Sequence, residues 1–363
     1  MRLPCSIARR MAEQGRTRGF DHLRLLLAIG VVVFHSFMLS QGDMRDMPDW
    51  FGPVAAMLLP GFFALSGFLV AGSLVRAPSL RAFLLLRLLR IGPALLLVVA
   101  LTALVLGPLV SAHGLPAYFA NPAWIAYFGN AIGLIQFGLP GVFEDNPRGP
   151  VVNGSLWTIP LEGACYILLA GIALLGLLRR PGLFFAAVLA ASIALALLRP
   201  AIPGVLTPDL VLFFFAGAAL YGLRAAVPLS FALCAVCLLL CFWLVRPGEG
   251  LHALALPLAY VVVWLGLRVL PPLPGDYSYG LYLSAYPLQQ LYSLLFPDFR
   301  IWWANLAFAL LFGLIYAAAS WHLLESKVLA LRGRIRPRRQ AAVHPPSMLM
   351  TAPVMDRAMS PER

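Results

Sequence analysis

Residues 20–40 read FDHLRLLLAIGVVVFHSFMLS, an almost wholly apolar run that is long enough to cross the roughly 30 Å hydrocarbon layer of a membrane as a helix. The run nevertheless contains Arg24 and His35. Ionisable side chains at membrane depth are costly, so a span that holds both is a candidate functional site. Their spacing of about three helical turns predicts that the two side chains share one helix face, roughly 16 Å apart along the axis.

These two residues also have a purely structural explanation. In that alternative, Arg24 extends to the inner headgroups of the membrane and His35 hydrogen-bonds a neighbouring helix. The span alone leaves both explanations open, and the remaining polar residues at membrane depth have to decide between them.

Apolar runs of this kind recur along the whole chain. The sequence has 363 residues, of which 61% are hydrophobic and 12% charged, with a mean hydropathy of +0.85. Soluble domains do not have this composition. We therefore predict an all-α fold, a polytopic transmembrane bundle of about ten helices. The runs fall at about 20–40, 52–75, 83–112, 155–178, 182–198, 208–225, 229–246, 252–270, 278–297 and 301–325.

The net charge of +12 would suggest a nucleic-acid partner in a soluble protein. In a membrane protein, the side of the membrane on which the basic residues lie has to be considered first. With the N-terminus inside, about 22 Lys and Arg residues lie on the inner side and about five outside. This bias predicts cytoplasmic N and C termini, contact with anionic lipid and no nucleic-acid partner. We divide the chain into a basic cytoplasmic tail (1–19), a membrane domain (20–328) and a disordered basic cytoplasmic tail (329–363).

The longest connection, residues 113–154, falls on the outer side in this topology. Residues 118–140 within it are mildly apolar but contain Gly, Asn and Pro, which favours an interfacial or re-entrant segment over a span.

The cysteines do not form a disulfide framework. Cys234, Cys237 and Cys241 share one helical stripe without a histidine cluster, so we expect packing and no metal site.

Two arginines open the third apolar run. Arg87 and Arg90 lie on one helix face near the inner surface. For an isolated pair, ordinary positive-inside anchoring is the better explanation. The functional alternative is that both guanidinium groups, together with Arg24 at similar depth, bind phosphates that arrive from the cytoplasm.

A carboxylate follows in the fourth run. Glu162 lies roughly 10 Å below the outer boundary and His35 roughly 8 Å below it, so counting residues along each helix allows the two to meet. A carboxylate beside an imidazole raises its basicity and fixes its tautomer, as a general base for a hydroxyl requires. The structural alternative is that Glu162 only satisfies a buried donor.

Taken together, these motifs resemble the acyltransferase 3 family of integral membrane acyltransferases over residues 20–328. FDHLRLLLAIGVVVFHSF is similar to the family's Arg, ten residues, His motif, and PGFFALSGFLVAG to its second-helix motif. Arg87-Leu-Leu-Arg90, NGSLWTIPLE, DYSYGLYLSAYPLQQ and WHLLESKVL resemble later motifs in the family's order. The chain departs from the family at Ser284-Ala285-Tyr286-Pro287, where many members have a histidine, and at Glu325-Ser326-Lys327, where Glu-x-Pro is usual.

The resemblance implies transfer of an acyl group, usually acetyl, from cytoplasmic acyl-CoA to a hydroxyl of a glycan or lipid-linked sugar. We expect Arg24, Arg87 and Arg90 to bind the CoA phosphates. His35, oriented by Glu162, would deprotonate the acceptor or carry the acyl group itself. Further candidates for substrate contacts, which packing explains equally well, are Ser66, Trp157, Tyr279 and Tyr282.

The predicted location is the inner membrane of a bacterium. Because no hydrolase-like domain follows the membrane domain, a separate extracytoplasmic protein is a candidate partner for the transfer. The rival hypothesis is a transporter or flippase of an acylated or glycan substrate, with Arg24 and His35 on its pathway. A sensor or scaffold without turnover is the third class.

Overall fold

The computed structural model describes residues 5–15, 17–198, 207–245 and 251–331, and these fold as helices joined by loops. Each of the ten apolar runs of the sequence forms a helix, so the all-α prediction is confirmed. In chain order the helices are α1 (Ile7–Gln14), α2 (Gly19–Gln41), α3 (Phe51–Val75), α4 (Leu80–Leu101), α5 (Gly114–Ala120), α6 (Pro122–Tyr127), α7 (Thr158–Leu174), α8 (Pro181–Leu198), α9 (Thr207–Gly222), α10 (Phe231–Leu244), α11 (Ala255–Gly266), α12 (Ser278–Leu295) and α13 (Trp302–Ser320).

Two of these helices continue beyond a wider turn. α4 passes through a π-helical turn (Thr102–Leu106) and runs on to Val110, and α13 passes through another (Trp321–Glu325) and runs on to Ala330. Within the described residues, five continuous helices are long and apolar enough to cross a membrane, starting at Gly19, Phe51, Leu80, Gly154 and Trp302. Shorter apolar helices fill the rest of the bundle. The chain is therefore an integral membrane protein with several apolar helices.

The bundle is held together in places by direct contact between backbones. On α3, a Cβ atom added to Gly67 would lie 1.8 Å from the carbonyl oxygen of Phe214 on α9. On α9, a Cβ atom added to Gly217 would lie 1.9 Å from the carbonyl oxygen of Ala64. Glycine is required at both crossing points because any side chain would overlap the facing backbone. This contact fixes α3, which carries Ser66 beside Gly67.

The connection 113–154 contains no helix long enough to cross a membrane, as the sequence predicts. α5 and α6 are short and meet at Asn121, whose side chain caps α6 by accepting from the Ala123 N–H. Tyr118 and Trp124 both donate to the carbonyl oxygen of Ala103, at 2.8 and 3.1 Å. Ala103 lies in the π-helical turn of α4, where the widened turn exposes carbonyl groups to other partners. The segment thus packs against the end of α4.

The N-terminal segment contains a short helix that the sequence analysis treated only as a basic tail. α1 is capped by Ser6, whose hydroxyl accepts from the Arg9 N–H. The Ile7 N–H donates to the Val227 carbonyl at 3.1 Å, and the Gln14 amide donates to the Leu267 carbonyl at 2.7 Å. α1 is therefore attached to the α9–α10 and α11–α12 connections. Most of the predicted C-terminal tail lies outside the described residues, which end at 331.

Candidate active site

A cavity of about 130 Å³ lies between α2, α3, α4, α7 and α12. Its walls are mainly apolar, and its polar groups come from helices that are far apart in the sequence. Seven of the nine residues singled out from the sequence line it: Arg24, Ser66, Arg87, Arg90, Glu162, Tyr279 and Tyr282. The two that do not are His35 and Trp157. The apolar runs and motifs thus converge on one site.

One end of the cavity holds a cluster of charged groups around Asp276, in the connection before α12. A single carboxylate oxygen of Asp276 accepts a hydrogen bond from Arg90 at 2.5 Å and forms an ion pair with Arg24 at 3.2 Å. Arg24 also pairs with Asp21 one turn earlier on α2, and Arg90 pairs with Glu325 at 3.2 Å. Two of the three arginines are therefore already balanced by acidic side chains.

Asp276 is held in its ionised form by this arrangement. Burial by itself would raise the pKa of the Asp276 carboxyl, but the two guanidinium groups and the Ser278 hydroxyl, which donates at 2.6 Å, outweigh it. The pKa of Asp276 is lowered to about 2. The carboxylate therefore stays charged across the physiological range and keeps Arg24 and Arg90 in place.

Arg87 differs from the other two arginines. Its Nη2 donates to the Ser73 hydroxyl at 3.2 Å, while its Nε is buried without a hydrogen-bond partner. Within the described part of the chain, Arg87 forms no ion pair with an acidic side chain. A guanidinium group that lines a cavity with unused donors is suited to bind an anion that enters from outside.

Glu162 lies in the cavity wall on α7. Its Oε1 accepts from the Ser66 hydroxyl at 3.0 Å and from the Tyr166 hydroxyl in a short hydrogen bond. The glutamate therefore shares the cavity with Arg87 and the other arginines, and its charge partly compensates theirs. The hydrogen bond to Glu162 holds the Ser66 hydroxyl at the cavity wall. The backbone of Ser66 is also held, because α3 is in close contact with α9 at the adjacent Gly67.

Tyr279 and Tyr282 line the cavity from α12, one helical turn apart. The Arg90 guanidinium lies 5.7 Å from the centre of the Tyr279 ring, close enough for a cation–π contact. The Tyr282 hydroxyl lies 2.8 Å from the Thr158 hydroxyl at the start of α7. These two tyrosines extend the cavity wall from the arginine cluster towards the opposite end of α12.

His35 lies beyond the cavity, further along α2. Its ring packs edge-on against Tyr286, with 5.1 Å between ring centres and 79° between ring planes, and it also contacts Phe34. Neither ring nitrogen forms a hydrogen bond or ion pair within the described residues. Trp157 ends the 3-10 turn before α7 and is half-buried against the main core.

The pairing of His35 with Glu162 that the sequence analysis expected is not found in the described residues. Glu162 is occupied by Ser66 and Tyr166, while His35 contacts aromatic rings. The reason is geometric: counting residues from a helix end gives a depth in the membrane, but it does not give the direction in which a side chain points. The two residues belong to different parts of the site.

Several residues of the site were not singled out from the sequence. Asp276 precedes the apolar run of α12 in a loop, and its only sequence signal is an acid placed next to the SYGLYL motif. Tyr166 is one turn after Glu162 on α7, where an i, i+4 relation could have indicated the contact. Thr158 and Tyr286 carried no signal that separates them from ordinary packing residues.

Comparison with known proteins adds the decisive observation. The family described as an acyltransferase domain, acyltransferase 3, matches residues 17–324. The chain belongs to the acyltransferase 3 family. It is 27% identical to the O-acetyl transferase of Shigella phage Sf6 over 336 residues, which cover 85% of this chain and 95% of that protein. No solved structure matches the chain significantly.

As an acyltransferase 3 protein, the chain is an O-acyltransferase, which favours the enzyme hypothesis over the transporter and sensor hypotheses. The family match begins two residues before α2 and ends one residue before Glu325, so it spans the cavity and His35. The arginine cluster, the cavity and His35 can therefore be interpreted as parts of an acyl-transfer site.

Proposed function

We propose that this acyltransferase moves an acetyl group from acetyl-CoA to a hydroxyl of a cell-surface or lipid-linked carbohydrate. The donor would enter from the cytoplasm, where the basic loops and both termini lie in our topology, and the acceptor would be modified at the far face of a bacterial inner membrane. The name of the phage relative, an O-acetyl transferase, supports acetyl as the group transferred.

The observation that carries this proposal is that Arg87 lies in the cavity with unused donors and forms no ion pair with an acidic side chain among the described residues. CoA carries phosphate groups at one end and the thioester at the other, so its site needs cations and then a narrow apolar passage. Arg87 offers free donors, and Arg24 and Arg90 lie beside it in the same cavity. The tyrosines of α12 line the same, mainly apolar cavity.

The transfer chemistry is assigned to His35. We propose that its imidazole accepts the proton of the acceptor hydroxyl while the oxygen attacks the acetyl carbonyl carbon. The carbon–sulfur bond then breaks, and the CoA thiolate leaves and takes up the proton from the imidazolium. Because neither ring nitrogen is engaged within the described residues, the imidazole is free to serve as this base. Transfer through an acyl-imidazole is the second route to the same products.

Glu162 acts at the donor end of the site in this proposal. Its contacts with Ser66 and Tyr166 hold both hydroxyls at the cavity wall, and its charge offsets part of the positive charge of Arg87. Trp157 immediately precedes α7, at the end of that helix that is outer in our topology, and is a candidate contact for the sugar. We further propose that a separate extracytoplasmic protein completes delivery to the acceptor. The basic loops would contact anionic lipid.

The donor half is tested with Arg87→Ala in nanodiscs, using acetyl-CoA and, in parallel, acetyl-pantetheine, which lacks the nucleotide phosphates. Loss of a charged hydrogen bond to phosphate, about 1.5–3 kcal/mol, raises the KM for acetyl-CoA by about ten-fold to a hundred-fold. The KM for acetyl-pantetheine stays unchanged because that substrate presents no phosphate to Arg87.

Arg45→Ala is the matched control, since Arg45 is an exposed arginine in the α2–α3 connection that pairs only with Asp43 in the described residues. It leaves both KM values at the wild-type level. An equal increase in KM for both substrates in Arg87→Ala, or an unchanged KM for both, would contradict phosphate binding by Arg87.

A further inference from the structure

The residues that surround His35 suggest a role for a tyrosine that no sequence motif assigns. Tyr286 on α12 is 3% exposed, and its ring forms a T-shaped contact with the His35 imidazole. The Tyr286 hydroxyl forms no hydrogen bond within the described residues. The ring is thus the main feature through which Tyr286 contacts the histidine.

The hydroxyl end of the Tyr286 ring lies against the backbone of Gly154. A Cβ atom added to Gly154 would lie 2.6 Å from Cε2, 2.7 Å from Cζ and 3.0 Å from the hydroxyl oxygen of Tyr286. These distances are shorter than van der Waals contact, so a side chain at position 154 would displace the ring. The ring of Tyr286 therefore contacts both the Gly154 backbone and His35.

The helix that carries Tyr286 is fixed by the residue before this glycine. Pro287 lies inside α12 and has no N–H, so the carbonyl of Leu283 one turn earlier loses its helical partner. The Asn153 side-chain amide donates to that carbonyl at 2.9 Å, and Asn153 is 1% exposed. Asn153 thus replaces the missing hydrogen bond at the proline, and Gly154 seats the ring of the adjacent tyrosine.

From these contacts we propose that Tyr286 is a positioning residue for His35. Asn153 and Gly154 hold the Tyr286 ring, and its T-shaped contact with His35 holds the plane of the imidazole during proton transfer from the acceptor hydroxyl. This inference rests on the proposed function, because it matters for turnover only if His35 is the base. It replaces the carboxylate expected from the sequence with an aromatic ring as the group that orients His35.

The proposal separates turnover from donor binding. Tyr286→Leu removes the ring, and Gly154→Ala displaces it, so both lower kcat about ten-fold or more, the factor that corresponds to about 1.4 kcal/mol. The KM for acetyl-CoA stays at the wild-type value because neither residue lines the cavity. Tyr286→Phe keeps the ring and retains most of the wild-type kcat.

The experiment measures release of radiolabel from acetyl-CoA to water and to added lipopolysaccharide in nanodiscs. Gly163→Ala is the control for Gly154→Ala, since a Cβ atom at Gly163 on α7 meets nothing within 4 Å. Thermal unfolding of the same samples shows whether each variant is folded. If Tyr286→Leu does not fold, Gly154→Ala and Tyr286→Phe supply the test.

His35→Ala, measured alongside, distinguishes failure of this inference from failure of the proposed function. Full activity of His35→Ala defeats the proposed function itself. An inactive His35→Ala with a fully active Tyr286→Leu and Gly154→Ala defeats only the positioning role. An increase in the KM for acetyl-CoA equal to the loss of kcat, or a Tyr286→Phe variant as slow as Tyr286→Leu, also overturns it.

Discussion

Replacing Asp276 by asparagine removes the carboxylate that Arg24 and Arg90 share, and the structure allows the effect to be calculated. The pKa of Asp276 is about 2, against an ordinary value of 3.8. That difference corresponds to about 2 kcal/mol of stabilisation. Removing one partner of a buried ion pair can cost up to about 5 kcal/mol because the remaining charges lose their compensation. We expect Asp276→Asn to lower the free energy of unfolding by an amount between these values.

The stabilisation also has a defined pH dependence. The pKa of Asp276 is lower in the folded protein than in the unfolded chain, so the unfolded chain binds the proton more tightly at low pH. The contribution is complete above a pH of about 4 and is lost as the pH falls towards about 2. Asp276→Asn removes a titrating group, so its stability should fall less steeply than that of the wild type over this window.

The assay is thermal unfolding in detergent, followed by intrinsic tryptophan fluorescence. The chain has eight tryptophans, whose surroundings change on unfolding, and unlike a thiol they report without having to ionise in the acid window. The control is Asp43→Asn, which removes an exposed carboxylate paired with Arg45 and leaves the midpoint nearly unchanged. If Asp276→Asn unfolds at the wild-type temperature with the same pH dependence, the charge cluster does not stabilise the site.

Two further predictions concern packing. Gly67→Ala places a Cβ atom against the Phe214 carbonyl and should cost at least about 1–3 kcal/mol, seen as a lower unfolding temperature, whereas Gly163→Ala meets open space and should not destabilise α7. A stable Gly67→Ala would show that α3 and α9 do not touch there. Tyr118→Phe removes one donor to the Ala103 carbonyl and should cost about 0.5–1.5 kcal/mol, with faster hydrogen exchange in α5 and α6. Unchanged exchange would argue against this attachment.

The apolar runs were sufficient to predict every long helix, because membrane depth requires about twenty apolar residues and leaves a clear signal. The side-chain partners were harder to predict. His35 and Glu162 were given similar depths, yet they point towards different neighbours, since a small rotation of a helix moves a side chain to another face. Asp276 could not be predicted as a site residue because it lies in a loop, outside the apolar runs in which a charged residue indicates a functional site.

The local geometry of the helices was equally hidden in the sequence. The π-helical turns of α4 and α13 have no residue that marks them, although each exposes groups that the site or its support uses. Asn153 and Pro287 are more instructive. Each is ordinary by itself, and only the fold brings the amide to the carbonyl that the proline leaves free.

We propose that His35 is the base for transfer of the acetyl group from acetyl-CoA to a hydroxyl. The most direct test incubates wild type and His35→Ala in nanodiscs with radiolabelled acetyl-CoA and membrane glycans, and follows the label in protein, water and glycan. We predict that the wild type moves the label to glycan, while folded His35→Ala binds acetyl-CoA but does not move it. Transfer by His35→Ala at the wild-type rate would contradict the claim.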